Sequence, residues 1–162
     1  MAQGVGSLDE RTGYVLKQAS AALRSAMENV LRPLQLTMPQ YACMELLSRS
    51  PGLSGAQLAR GAFVSRQSMN LVLRGLQERG LVTRPEAAPA GRTLPTELTD
   101  AGQALLGAAA IEVEQVEKRM VSALSRRQRR DLRDYLVACA AALSSSPPGP
   151  GGTASLRRQR LP

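Results

Sequence analysis

The chain has 162 residues, enough for one domain with a real core, and its formal charge of +8 comes from 21 basic residues, 19 of them arginine, against 13 acidic ones. The surplus favours an anionic partner, nucleic acid ahead of a membrane surface, and arginine suits phosphates and guanine edges. The absence of histidine removes Ser-His and Cys-His catalytic pairs and the commonest metal ligand, while Tyr14, Tyr41, Phe63 and Tyr135 are too few for a base-stacking platform or an aromatic-lined catalytic cleft.

Residues 1–7 read as a flexible N-terminus. From Leu8 to about Leu34 apolar residues recur at threes and fours: Tyr14, Val15, Ala19, Ala22, Leu23, Met27, Val30 and Leu31. This is the spacing of a long helix, and Pro33 discourages its continuation. Thr37 or Met38 caps the next helix, with Pro39 in its first turn. Met38, Tyr41, Ala42, Glu45 and Leu46 mark its turns, and Ser50-Pro51-Gly52 stops it. Ser54 caps a short helix, with Gln57 placed for a capping box and Leu58 and Ala59 as its core face. Ser65 caps a longer helix over 66–79, and Gly80 ends it. Short helix, tight turn, longer helix is the helix-turn-helix pattern.

Residues 81–84 read as a strand, 85–91 as a Pro/Gly/Ala loop, and 92–99 as a returning edge strand that tolerates Pro95. Together they make a β-wing. A helix from Asp100 to about Met120 carries Leu105, Leu106, Ala109, Val113 and Val116. Ser125 caps a last helix, 126–143, with Leu132, Tyr135, Leu136, Cys139 and Leu143 on its inner side. Residues 144–162 are low-complexity, a predicted disordered tail. The expected fold class is therefore mainly α with a small β-wing. A winged helix-turn-helix (37–99) is flanked by long N-terminal (8–36) and C-terminal (100–143) helices, which are amphipathic and need a partner surface.

The chemistry of recognition concentrates in 66–79. Met69, Val72, Leu73 and Leu76 follow the i, i+3, i+4, i+7 rule and face the core. The opposite face then carries Arg66, Gln67, Asn70, Leu71 and Arg74. Arginine forks onto guanine, Asn or Gln onto adenine, and leucine suits thymine methyl groups. Ser65 and Ser68, beside the free N–H groups of the helix start, suit a phosphate. Ser54, at the start of the preceding helix, joins this DNA-contacting set. The wing adds Arg84 on one strand and Arg92 beyond its tip, where an arginine can enter a narrow minor groove. Segment 54–95 holds six arginines against Glu78 and Glu86, a local balance of +4. At the start of the last helix Arg126 and Arg127 occupy a turn where the helix dipole favours acids, so this face is solvated or makes an extra phosphate contact.

Cys43 and Cys139 lie far apart without CxxC spacing, which suits two small buried hydrophobes in a reducing compartment and indicates neither a metal site nor a disulfide. No cofactor is indicated. The chain shows no apolar signal core and no 18-residue apolar run, so a cytoplasmic protein without membrane partners is expected.

Three runs, LTMPQYACMELLSRSPGLSGAQLAR, VSRQSMNLVLRGLQERGLVTRP and LTDAGQALL, resemble in order those of the MarR (multiple antibiotic resistance regulator) family of bacterial winged-helix regulators. The first resembles the family's Leu-Thr-x-x-Gln-(aromatic) helix, the second its recognition helix ending in Gly-Leu-Val, the third the Leu-Thr-x-x-Gly that closes the wing. With the helical flanks the resemblance covers about residues 8–143. It implies a homodimer whose first and last two helices interlock into a dimer base, with two winged helices straddling a pseudo-palindromic duplex. Half-sites would then lie about one helical turn apart. It also implies a small aromatic or phenolic effector bound between the dimer base and the winged helix, where Tyr14, Met38, Tyr41 and Met44 are the candidate lining residues. The chain departs from the family in one place. Where the family wing commonly reads Asp-x-Arg, this chain has Ala90-Gly91-Arg92 and lacks the bracing carboxylate.

The reading is thus a dimeric, sequence-specific transcription regulator, most simply a repressor, rather than an enzyme. The alternatives are a nonspecific architectural DNA-binding protein, which would not need the Gln67, Asn70, Arg74 face, and a winged-helix protein-interaction module, which would not need the arginines.

Overall fold

The computed structural model describes residues 11–83 and 96–144. In chain order these form α1 (Thr12–Leu31), α2 (Met38–Arg49), α3 (Gly55–Gly61), α4 (Arg66–Glu78), the strands β1 (Val82–Thr83) and β2 (Glu97–Leu98), α5 (Asp100–Met120) and α6 (Arg126–Ser144). The chain divides into two compact units, residues 1–120 and 121–162. Residues 84–95, on which the expected wing positions of Arg84, Arg92 and Pro95 fall, together with residues 1–10 and 145–162, lie outside the described residues.

Polar residues at the helix starts account for the boundaries. Thr37 Oγ1 accepts from the Gln40 N–H at 3.3 Å while the Thr37 N–H donates to Gln40 Oε1 at 3.0 Å. Ser54 with Gln57 and Ser125 with Gln128 repeat this reciprocal arrangement. Each such cap satisfies donors that the first helical turn leaves open, contributing about 1 kcal/mol. Arg11 is extended, so α1 begins at Thr12 rather than at Leu8 as expected, with the weak helix former Gly13 in its first turn. At its other end Pro33 sits in a short 3-10 turn, Arg32–Leu34, that closes with Gln35 in the left-handed region at φ 54°.

The core of the first unit gathers α1 to α5. Leu31, Cys43, Met44, Leu47, Leu58, Met69, Leu73 and Leu76 are the largest fully buried side chains among the described residues. Burial of each large one contributes about 1.5–3 kcal/mol. Met69, Leu73 and Leu76 are buried on α4 and Val72 packs against them, as the helical spacing predicts. On α2 the buried face runs through Tyr41, Cys43, Met44 and Leu47, so the turn-marking Glu45 and Leu46 stand at its margin.

The base of the wing is locked to α5. β1 and β2 pair antiparallel, Val82 opposite Leu98 and Thr83 opposite Glu97. Thr99 Oγ1 donates to the Gly80 carbonyl at 2.7 Å and accepts from the Gly102 N–H at 3.0 Å. The Thr99 N–H donates to the Leu81 carbonyl at 3.1 Å. Gly102 passes so close to that carbonyl that any Cβ there would collide with it. This explains physically why a Leu-Thr-x-x-Gly run closes the wing.

The second unit contains α6, in which no residue is buried. Leu132, Tyr135, Leu136, Cys139 and Leu143, expected on an inner side, are exposed in the chain by itself. The helix carries an apolar stripe for which its own unit supplies no cover. No helix among the described residues is long and apolar enough to cross a membrane.

Candidate nucleic-acid interface

The candidate face begins at the cap of α4. Ser65 Oγ accepts from the Ser68 N–H at 3.0 Å and donates to Ser68 Oγ at 2.9 Å. The Ser65 hydroxyl proton is therefore in use, whereas the Ser68 hydroxyl keeps its own proton for an outside acceptor. Burying Met69, Leu73 and Leu76 turns Arg66, Gln67, Asn70, Leu71 and Arg74 outward, and all five are exposed. Among the described residues none of Arg66, Gln67, Asn70 and Arg74 spends its side chain on an internal hydrogen bond or ion pair. Arg79, by contrast, is engaged: its guanidinium donates to the Gln35 carbonyl at 2.7 Å and ties the end of α4 to the α1–α2 junction. The start of α3 adjoins the same face. Asn70 Oδ1 lies 3.9 Å from where a Cβ on Gly55 would stand, next to the half-buried Ser54. The structure therefore brings Ser54, Ser65, Ser68 and the α4 face together, while Arg84 and Arg92 lie outside the described residues.

Two clefts flank Met38. One, of about 810 Å³, lies between α1 and the turn joining α3 to α4, and is lined by Arg24, Glu28, Arg32, Met38, Phe63 and Val64 among others. Arg24, Glu28 and Arg32 follow one helix face at i, i+4, i+8, a spacing visible in the sequence that composition-led reading passes over. Phe63 has no such signal. It adopts the left-handed region at φ 56° and is 95% exposed at the end of α3. The other is a groove between α2 and α5, lined by Met38, Tyr41, Glu45, Arg49, Val113 and Glu117 among others, with a volume of about 450 Å³. Met38 and Tyr41 thus line clefts. Met44 does not, because its side chain is sealed in the core, and Tyr14 is exposed on the first turn of α1 away from both.

Burial pushes the Tyr41 hydroxyl above its ordinary range, the charges of Glu45 and Glu117 add to this, and Arg49 opposes them. Desolvation pushes the buried Cys43 thiol up to about 12. Cys139 is exposed, contrary to the expectation of two buried cysteines, because the stripe of α6 that carries it is uncovered.

Residues 34–93 match the sequence profile of the MarR family. The HTH-type transcriptional repressor Rv2887 of Mycobacterium tuberculosis (strain ATCC 25618 / H37Rv) is 42% identical over 128 residues, 79% of this chain and 92% of that protein. The chain belongs to the MarR family. Among solved structures, the M. tuberculosis MarR family protein Rv2887 in complex with DNA has a TM-score of 0.68 at 40% identity, covering 81% of this chain and 98% of the other. The same protein in complex with salicylic acid gives a TM-score of 0.66 at 41% identity, covering 81% and 97%. The transcriptional repressor CouR bound to a 23-mer DNA duplex gives 0.71 at 30% identity, covering 89% and 99%. The expected class, mainly α with a small wing, is the MarR winged-helix fold observed here.

The three MarR-like runs have separate structural tasks in this chain. Leu36 to Gln40 supplies a buried anchor and the α2 cap. Gly80, at φ 66°, ends α4 and turns the chain into β1. Leu98 to Gly102 fastens β2 to α5.

Proposed function

We propose that this chain is a dimeric repressor that reads a pseudo-palindromic operator with α4 and releases it on binding a small aromatic anion. The observation that carries the reading is the α4 face: two arginines, a glutamine and an asparagine, exposed and without internal partners. Such groups are already free to exchange water for base edges. Ser68 and the open N–H groups at the start of α4 serve a phosphate, Ser54 and Ser65 flank them, and Arg84 and Arg92 of the wing reach the adjoining minor groove.

The dimer reading rests on uncovered apolar surface. Tyr14, Val15 and Leu16 on α1, and Leu132, Tyr135, Leu136 and Leu143 on α6, are exposed in the isolated chain. A second copy is the simplest cover, and it supplies the two-fold axis that a palindrome requires. For the effector, the cleft bearing Arg24 and Arg32 presents two guanidinium groups beside apolar Met38 and Val64. That chemistry suits an aryl carboxylate, and relatives are solved with salicylic acid and with p-coumaroyl-CoA. Arg79 links this cleft's Gln35 to the end of α4, a route by which an occupant shifts the recognition helix.

Selection of bound sequences from random duplexes at physiological salt tests the reading. A palindrome with two half-sites about one helical turn apart is the expected result. Binding that ignores sequence would overturn it.

A further inference from the structure

The α4 side chains assigned to base edges end at Arg74, and the last turn of the helix holds a clamp instead. We propose that Arg79 is a positioning residue for operator recognition. It sets the tilt of α4 from outside the reading face, in the absence of any effector and without touching DNA.

Arg79 caps the C-terminus of α4, where the helix dipole favours a cation. Its guanidinium donates to the Gln35 carbonyl at 2.7 Å, with a longer contact to the Leu34 carbonyl at 3.5 Å. The turn after α1 offers both acceptors. Gln35 stands in the left-handed region at φ 54°, its N–H closes on the Arg32 carbonyl at 2.9 Å, and the Leu36 N–H closes on the Leu31 carbonyl at 3.2 Å. Among the described residues no backbone N–H donates to the Leu34 or Gln35 carbonyl. Two acceptors on adjacent residues suit the planar fork of a guanidinium, which an ammonium does not reproduce. The next residue, Leu36, is buried, and Thr37 and Gln40 then cap α2. Gln40 Nε2 lies 3.4 Å from where a Cβ on Gly75 would stand. α4 therefore meets the α1–α2 junction twice, at Gly75 and one turn later at Arg79.

From Arg66 to Arg79 the helix runs about 20 Å. A tilt of about 10° moves one end by about 3 Å relative to the other, whereas base-edge contacts tolerate about 0.5 Å. Burial of Met69, Leu73 and Leu76 holds α4 against the core, but apolar attraction is non-directional, and Arg79 adds a directional restraint. Phosphate contacts carry no sequence information and need less exact placement than base contacts. Loss of the clamp should therefore lower discrimination between sequences and spare the sequence-independent part of the affinity.

The inference rests on α4 as the reading helix. The test uses the full chain with a duplex recovered by selection from random sequence and a shuffled duplex of the same composition, at physiological salt and well below the melting temperature. The ratio of the two dissociation constants is the readout, since a residue that only stabilises the fold does not move it. Arg79→Gln should lower that ratio about tenfold, almost wholly by weakening the selected duplex, and Arg79→Lys should fall between it and the parent chain. Cys43→Ala, which removes a core side chain outside the clamp, should leave the ratio unchanged. Three results overturn the inference alone: an unchanged ratio in Arg79→Gln, an equal loss on both duplexes with a salt slope shallower by about one, as for a phosphate contact, or a loss in Cys43→Ala as large as in Arg79→Gln. A parent chain that binds both duplexes alike overturns the reading of α4 itself, and the inference with it.

Discussion

Arg74 and Phe63 make opposite points about single residues. Arg74 stands in the middle of an exposed face and spends its guanidinium on nothing inside the chain. Arg74→Ala should cost about 1–3 kcal/mol of binding, concentrated at one base position, as read by competition among single-base operator variants. An even loss across all variants would mean that it contacts phosphate instead. Phe63 holds a large apolar ring in solvent and a left-handed backbone at φ 56°, where a side chain costs about 1–2 kcal/mol. Phe63→Gly should therefore raise the melting temperature, with a net gain near 1 kcal/mol after glycine's own chain entropy. If the ring contacts the aromatic effector, the same variant weakens effector binding. Cys43 ties stability to pH. Its thiol moves from 9.0 to about 12 on folding, so the folded state keeps a proton that the unfolded state gives up. The resulting stabilisation is complete below pH 9 and declines as pH rises from 9 to about 12. Cys43→Ala, though less stable at neutral pH, should lose less stability between pH 9 and 11 than the parent chain, measured by denaturant unfolding.

At the level of elements, caps and stop signals were plain in the sequence because they act within four residues. Ser54 with Gln57, Ser65, Gly80 and Ser125 all do in the structure what their spacing implies. The wing junction was legible as a motif but not as a mechanism. Thr99 bonds Gly80, nineteen residues back, and Gly102 makes room for the Leu81 carbonyl, contacts that no local pattern encodes. Gly102→Ala should destabilise the chain by about 1–3 kcal/mol or more through overpacking against backbone, which cannot step aside as a side chain can. Gly61→Ala makes a useful contrast, since the added methyl there meets only the flexible end of Leu46 and should cost less. Both are read by urea unfolding.

For the whole molecule, the uncovered apolar stripes matter more than any pocket. Leu136→Asp on α6 should shift the protein toward monomer in sedimentation, and operator affinity should fall with it, while the first unit retains its helix content. A variant that stays dimeric and binds normally would move the dimer interface elsewhere.

The sequence by itself determined the winged-helix class, the helix boundaries to within a few residues and the division of α4 into buried and exposed faces. These follow from short-range rules, namely side-chain caps, backbone-limited residues and the 3.6-residue period. Only the tertiary structure decided which residues share a cleft. Arg24 and Arg32 meet Phe63 across different elements, and Glu45 meets Glu117 only because α2 packs beside α5. It also separated Tyr41, which lines a groove, from Met44, which is sealed three residues later on the same helix. Both residues sit at core spacing on one helix; what distinguishes them is which neighbouring elements pack over them, a property of the tertiary structure rather than of the local sequence.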